Sequence, residues 1–255
     1  MPEEAPRLLW HLLPRFARGA RPMLRMWMAV LGVAASTAPA LSDSIASARY
    51  TVPTDRYAHG VLGDAIEWGA LEVTLEDGRS VTFTLPQDHV FEDIAPRLAD
   101  LDGDGRPEVI VVEADTSQGA ALAVYGASGK IVETPHIGTR NRWLAPIGAA
   151  DFDGDGYTEL AYVDRPHLAK TIRVWRYHDG RLQPLASLPG FSNHRIGEDF
   201  ISGGVRTCDG TDEMIVATAD WLRLVAIRFD GSGFAVTDLG RNTGARSWRA
   251  ALACD

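Results

Sequence analysis

"ADLDGDGRPEVIVVEAD", residues 99–115, concentrates four carboxylates and two glycines between Asp100 and Glu108 and then turns apolar. Asp100, Asp102 and Asp104 alternate, Gly103 and Gly105 permit a tight backbone path, and Glu108 stands at the ninth position. A hard cation such as Ca²⁺ takes six to eight oxygens at about 2.3–2.6 Å, which such a loop supplies when alternate side chains and one backbone carbonyl, here that of Arg106, point inward. Without a cation, carboxylates this close repel one another. The competing reading is a solvated acidic turn.

The stretch recurs as "AADFDGDGYTELAYVDR", residues 149–165, with Asp151, Asp153, Asp155 and Glu159 in the same places and Tyr157 at the carbonyl position. Asp100 and Asp151 are 51 residues apart, a period that points to a repeat architecture. A second marker keeps the same period: Asp77-Gly78, Ser128-Gly129, Asp179-Gly180 and Asp230-Gly231 place glycines 51 apart three times over. Asp-Gly between short alternating runs is a hairpin signal, because glycine accepts φ > 0 without penalty.

Each unit reads as four short strands with no helical periodicity between them. They are expected at 94–99, 108–114, 121–127 and after Gly129; at 144–150, 159–164, 171–177 and 182–188; and at 200–205, 213–219, 222–228 and 234–239. A fourth unit is split between the chain ends, with strands at 56–62, 70–75 and 80–85 and its missing first strand in "RAALACD", 249–255, where Asp255 takes the place of Asp100 and Asp151. The expectation is an all-β, four-bladed β-propeller of four-stranded repeats, its ring closed by the C-terminal strand so that no sheet edge is left to template aggregation.

The two acidic loops and the strands after them resemble the FG-GAP, or VCBS-type, repeats of integrin α-subunit propellers and of many secreted bacterial proteins. The resemblance is good over about residues 90–220 and reaches the rest through the period. It implies that each loop joins the first and second strands of a blade and binds Ca²⁺, at Asp100, Asp102, Asp104 and Glu108 and at Asp151, Asp153, Asp155 and Glu159. The third loop, "VRTCDGTDEM", keeps Asp209 and Glu213 but has Val205 and Thr207 where ligands belong, so two Ca²⁺ sites are expected rather than three.

The chain of 255 residues carries a formal charge of −9; residues 1–40 hold five Arg against Glu3 and Glu4, which leaves −12 for the remainder. Such an acidic body is a poor nucleic-acid partner. Arg15, Arg18, Arg21 and Arg25 precede the apolar run 26–35, and "APA" at 38–40 suits a signal peptidase. A signal peptide over 1–40 is expected, with translation from Met23 as a variant, then one propeller domain over 41–255 in the periplasm or outside the cell. The apolar run is too short for a membrane anchor, which needs about 20 residues. Cys208 and Cys254, both in the exported part, favour a disulfide over two free thiols.

The face opposite the acidic loops collects Arg140, Arg142, Trp143, His194, Arg195, Asp199, Trp221, Trp248 and Arg249. Arg beside Trp is a combination enriched at binding hot spots, although the same side chains could pair with one another to fill the channel of a small ring. Two functions stay open. One is a calcium-stabilised, monomeric, non-catalytic module that binds a protein or glycan. The other is a hydrolase or lyase using His194, Asp199 or His59, against which no GxSxG, HExxH or phosphate-cradling loop is present.

Overall fold

The computed structural model describes residues 43–254; the expected signal peptide, the Met23 start and Asp255 lie outside them. Among the described residues no helix is long and apolar enough to cross a membrane.

Among the described residues the fold is all-β apart from one short helix, and its sheets succeed one another as propeller-like units. The first unit holds β1 (Ile45–Thr54), β2 (Glu67–Leu75) and β3 (Ser80–Thr84), with β2 in the middle. The second holds β4 (His89–Phe91) and β5 (Arg97–Ala99), both paired to β6 (Glu108–Asp115), followed by β7 (Gly119–Gly126) and β8 (Gly129–Glu133). The third is a four-stranded meander of β9 (Leu144–Ala150), β10 (Glu159–Asp164), β11 (Thr171–His178) and β12 (Arg181–Pro189). The fourth repeats the second: β13 (Phe191–Ser192) and β14 (Gly204–Cys208) both pair β15 (Thr211–Thr218), followed by β16 (Arg223–Phe229) and β17 (Phe234–Arg241).

Alternation along the central strands explains how the units stack. In β6, Val109 and Val111 pack with Ile45, Leu71 and Val73 of the first unit, while Ile110 and Val112 face Leu144, Leu160 and Tyr162 of the third. A third core joins Ile147, Val163 and Ile172 to Met214, Val216 and Ile227 of the fourth unit. Strands buried on both faces read as continuous apolar runs, which is why "VIVV" (109–112) and "MIVA" (214–217) carry no polar residue. Each fully buried Val, Leu or Ile contributes about 1.5–3 kcal/mol.

Two expectations for the split unit are corrected. The segment 56–62 is not a strand; its place beside β2 is taken by β1, whose Tyr50 and Arg49 face Leu71 and Glu72, while 55–66 forms an irregular connection that buries Tyr57 and Val61. Nor is the stretch after Trp248 a strand that closes a ring: residues 249–254 belong to helix α1 (Ala245–Leu252) and the turn after it. Alanine- and arginine-rich "ARSWRAAL" has high helix propensity, and its Ala251 seals the outer face of the fourth unit against Ile215, Leu224 and Ala226, with Trp248 beside them. The expected bridge is present: Cys208 and Cys254 are disulfide-bonded, with Cα atoms 6.0 Å apart, and it pins the end of α1 to β14 rather than stapling a closing strand.

The first strands carry a second feature. Between β4 and β5, and again between β13 and β14, the pairing is interrupted, and in β9 the same place is a bulge at Ile147, opposite Ala161 and Tyr162 of β10. An interruption turns residues out of the ladder, and here it delivers Glu92, Asn193 and His194 into the interior, each 0% exposed.

Candidate functional site

Two regions hold the sequence-derived candidates. In the first acidic loop, Asp100 accepts from the backbone N–H groups of Gly103 (2.8 Å) and Gly105 (2.9 Å), and Glu108 accepts from that of Leu101 (2.9 Å). Gly103 and Gly105 have φ of 75° and 81°, which only glycine adopts without penalty. Asp100, Asp102 and Glu108 offer carboxylate oxygens all within 4.8 Å of one another. Burial raises the Glu108 carboxyl above its ordinary range, and Asp102, Asp104 and Asp100 add to the rise. Asp104, expected as a fourth ligand, is turned to the Arg106 guanidinium (2.9 and 2.5 Å). The three clustered carboxylates are hard oxygen donors of the kind Ca²⁺ takes.

The second loop repeats the cluster with Asp151, Asp153 and Glu159 but differs at one cross-strand position. Arg176 stands opposite Glu159, and its guanidinium reaches Asp153 (2.7 Å), Asp155 (2.7 Å) and Glu159 (2.9 Å). It also lies 5.5 Å over the Tyr157 ring. The register places Gly126 at the corresponding position of the second unit and Arg228 at that of the fourth. In the fourth unit the acidic loop has shrunk to a tight Asp209-Gly210 turn with both residues at positive φ, and Glu213 is held by Arg228 (2.6 Å) and by Arg206 (2.7 Å). Burial pushes the Glu213 carboxyl up, but the two guanidiniums bring it below the ordinary range. The three units thus form a series: carboxylates facing no guanidinium across the strand, carboxylates neutralised by one arginine, and a single glutamate held by two.

On the other face the structure brings Arg142, Trp143 and His194 together with three residues the sequence did not single out as a set, His59, Glu92 and His167. Four of them, His59, Arg142, Trp143 and His167, line a cavity of about 220 Å³ together with Arg165, Leu168 and Ile196, among others, and Glu92 and His194 lie behind its wall, bonded to His59 and His167. Trp143 is only 2% exposed, so it is a wall rather than a protruding anchor; its Nε1 donates to the Glu92 carbonyl (2.8 Å), and its ring stacks on His167 at 6.4 Å. The Glu92 carboxyl is hydrogen-bonded to His59 Nδ1, and its other oxygen has no partner. His167 Nε2 lies 3.0 Å from His194 Nδ1, and His194 Nε2 donates to the Glu198 carbonyl (2.9 Å). Burial, reinforced by Asp93, holds Glu92 well above the ordinary carboxylate range; burial and then His194 lower His167 to about 4.

The remaining candidates divide. Arg140 lies over the Tyr57 ring at 5.5 Å. Arg195 covers Trp221 at 4.3 Å, and Trp221 meets Trp248 edge-on at 6.3 Å. Asp199 and Arg249 are exposed outside these groups. Gly119 fixes the loop that carries Arg142: at φ 77°, a Cβ there would lie 2.4 Å from the Thr139 carbonyl oxygen and 2.7 Å from that of Arg142. Gly119→Ala combines a left-handed backbone with two clashes and is expected to lower stability by at least about 2 kcal/mol, read as a shift of the urea midpoint; an unchanged midpoint would show that the 139–143 loop yields freely.

Comparison with known proteins bears on the acidic loops. Residues 100–162 match the FG-GAP-like repeat. The chain carries an FG-GAP-like repeat. That repeat runs from the first acidic loop, through β6 to β9, into β10 just past the second loop. A search of curated proteins finds no match. Among solved structures, the chain is similar to the exotype rhamnogalacturonan lyase YesX at 16% identity and a TM-score of 0.45, covering 78% of this chain and 48% of that one. It is likewise similar to the rhamnogalacturonan lyase YesW at 16% identity and a TM-score of 0.41, covering 77% and 49%. The chain spans about half the length of these two proteins.

Proposed function

We propose that the protein is an exported, calcium-stabilised, four-unit propeller, its first unit lacking the inner strand, that binds a protein or glycan through the face opposite the acidic loops. The observation that carries the binding role is on that face: Leu168 and Ile196 are 63% and 72% exposed at the rim of a cavity whose Arg142 forms no ion pair among the described residues. Exposed apolar side chains around polar groups that converge on a cavity mark binding sites. Ca²⁺ would be held by Asp100, Asp102 and Glu108, where it would offset the repulsion among the carboxylates and tie the end of one strand to the start of the next. The disulfide supports export, since such bridges persist in oxidising compartments.

A catalytic reading is less well supported. Both ring nitrogens of His194 are engaged, and Asp199 stands in the exposed stretch beyond it, so these two do not form a pair; His59, the third residue named from the sequence, is bonded to Glu92, which is fully buried and so out of a substrate's reach. Binding of the purified protein to a panel of glycans and envelope proteins tests the proposal. Capture that is lost with Leu168→Asp and Ile196→Asp is the expected outcome; turnover of an ester, phosphate or glycoside substrate would favour the enzyme instead.

A further inference from the structure

The hydrogen-bond directions around the channel-face cavity fix which protons it offers. His194 Nε2 faces a carbonyl, which can only accept, so this nitrogen carries the hydrogen, and in the neutral ring that full burial favours Nδ1 carries a lone pair. His167 Nε2 must then donate to His194 Nδ1, leaving a lone pair on His167 Nδ1. On the other wall, the Glu92 carboxyl meets His59 Nδ1 in a fully buried setting where its second oxygen has no partner. A net negative charge there is costly, so the pair holds two protons, one in the shared bond and one on His59 Nε2. With the carboxyl proton on the oxygen that faces His59, or as an ion pair, His59 presents an N–H donor at Nε2; the remaining arrangement would bury a hydroxyl on the other Glu92 oxygen without an acceptor. The cavity therefore combines a guanidinium without a carboxylate partner, an imidazole donor, an imidazole acceptor and the apolar side chains of Leu168 and Ile196.

Resting on the reading that this face is the binding face, we infer that the cavity takes a small hydroxy-carboxylate of monosaccharide size, its carboxylate held by Arg142 and His59 and a neighbouring hydroxyl donating to His167. A guanidinium grips a carboxylate with paired donors, while an inorganic anion would leave the acceptor and the apolar wall unused. A neutral sugar would leave Arg142 unmatched. Glu92 is a positioning residue: buried beneath His59, it sets the tautomer without reaching the ligand.

The test is titration of the full-length protein, followed by its tryptophan fluorescence, with glucuronate, glucose and inorganic phosphate up to about 10 mM, the weak end of specific binding. Glucuronate is expected to bind and the other two are not. Arg142→Gln should weaken glucuronate binding by about tenfold or more, the loss of a charge-assisted hydrogen bond. Glu92→Leu should also weaken it, while the thermal midpoint holds or rises because an orphaned buried polar group has been removed; a merely structural role would move the midpoint and leave affinity alone. A short uronate oligosaccharide beside the free acid assigns the source, and binding of either in preference to glucose supports the site. Equal binding of glucuronate and glucose, no binding of either acid, or affinity that survives Arg142→Gln overturns the inference. The broader reading of this face fails separately, when Leu168→Asp with Ile196→Asp leaves every interaction found in the panel intact.

Discussion

Replacing both Cys208 and Cys254 by alanine is expected to remove about 4 kcal/mol of stability, the chain-entropy value for a bridge across 46 residues. The structural reason lies in what the bridge holds. Helix α1 is eight residues long, too short to be stable alone, and it covers the fourth unit through Ala251 and Trp248. Arg206 adds one tie, donating to the Ala251 carbonyl while pairing with Glu213. Without the bridge these contacts must hold the helix against its own entropy, and Ile215 and Leu224 lose their cover when it leaves. Urea unfolding with and without reductant should show a large midpoint shift in the wild type and none in the double variant. If reduction leaves the wild-type midpoint where it was, the bridge is dispensable and α1 is held by packing.

Chelation is expected to lower the melting temperature, but through one strong site rather than two equal ones. A ligand at 100 times its dissociation constant adds about 2.7 kcal/mol. In the third unit the cation must first displace Arg176, which already bonds Asp153, Asp155 and Glu159; in the second unit the cross-strand position is Gly126, without a side chain. Calorimetric titration should therefore find one tight Ca²⁺ per chain, lost in Asp102→Ala. Arg176→Gln should raise the stoichiometry to two while making the calcium-free protein less stable, because three carboxylates lose their counter-charge. Two tight sites in the wild type, or a single site that survives Asp102→Ala, would contradict the series seen across the units. The Arg106 side chain also matters in this scheme: holding Asp104 aside, it is expected to weaken the first site, so Arg106→Ala should bind Ca²⁺ more tightly.

The middle of the chain was legible because two independent markers recur at 51 residues, and each marker fixes a backbone event, an acidic loop or a hairpin turn. The strands at 144–150 and 159–164 fall where the alternation put them. The ends were misread for one reason, reliance on the period where neither marker is present. β1 lies out of register with the other second strands and has no Asp-Gly turn of its own, although "SARYTV" alternates as a strand does. In "ARSWRAAL" the signal was available: Trp248 and Ala251 are three apart, one helical turn, behind Gly244 at the cap. Arg142, Trp143 and His194 were found because Arg, Trp and His stood out in loops. Glu92 and His167 were not, since nothing in "HVFEDIA" says that the strand breaks after Phe91 and turns the next side chain inward.

The first unit has no inner strand among the described residues, and β1 ends its sheet. What joins the first unit to the fourth is a loop contact, in which the N–H of Gly197 donates to the carbonyl of Val61 at 3.1 Å. Units joined in this way are latched rather than welded. The first and fourth units can part without tearing a ladder, while separating the second from the third would expose the core around Leu122 and Leu160. Amide exchange should therefore be fast at Gly197 and slow along β6 and β7, a gradient set by where the chain stops pairing rather than by how well any one unit is packed.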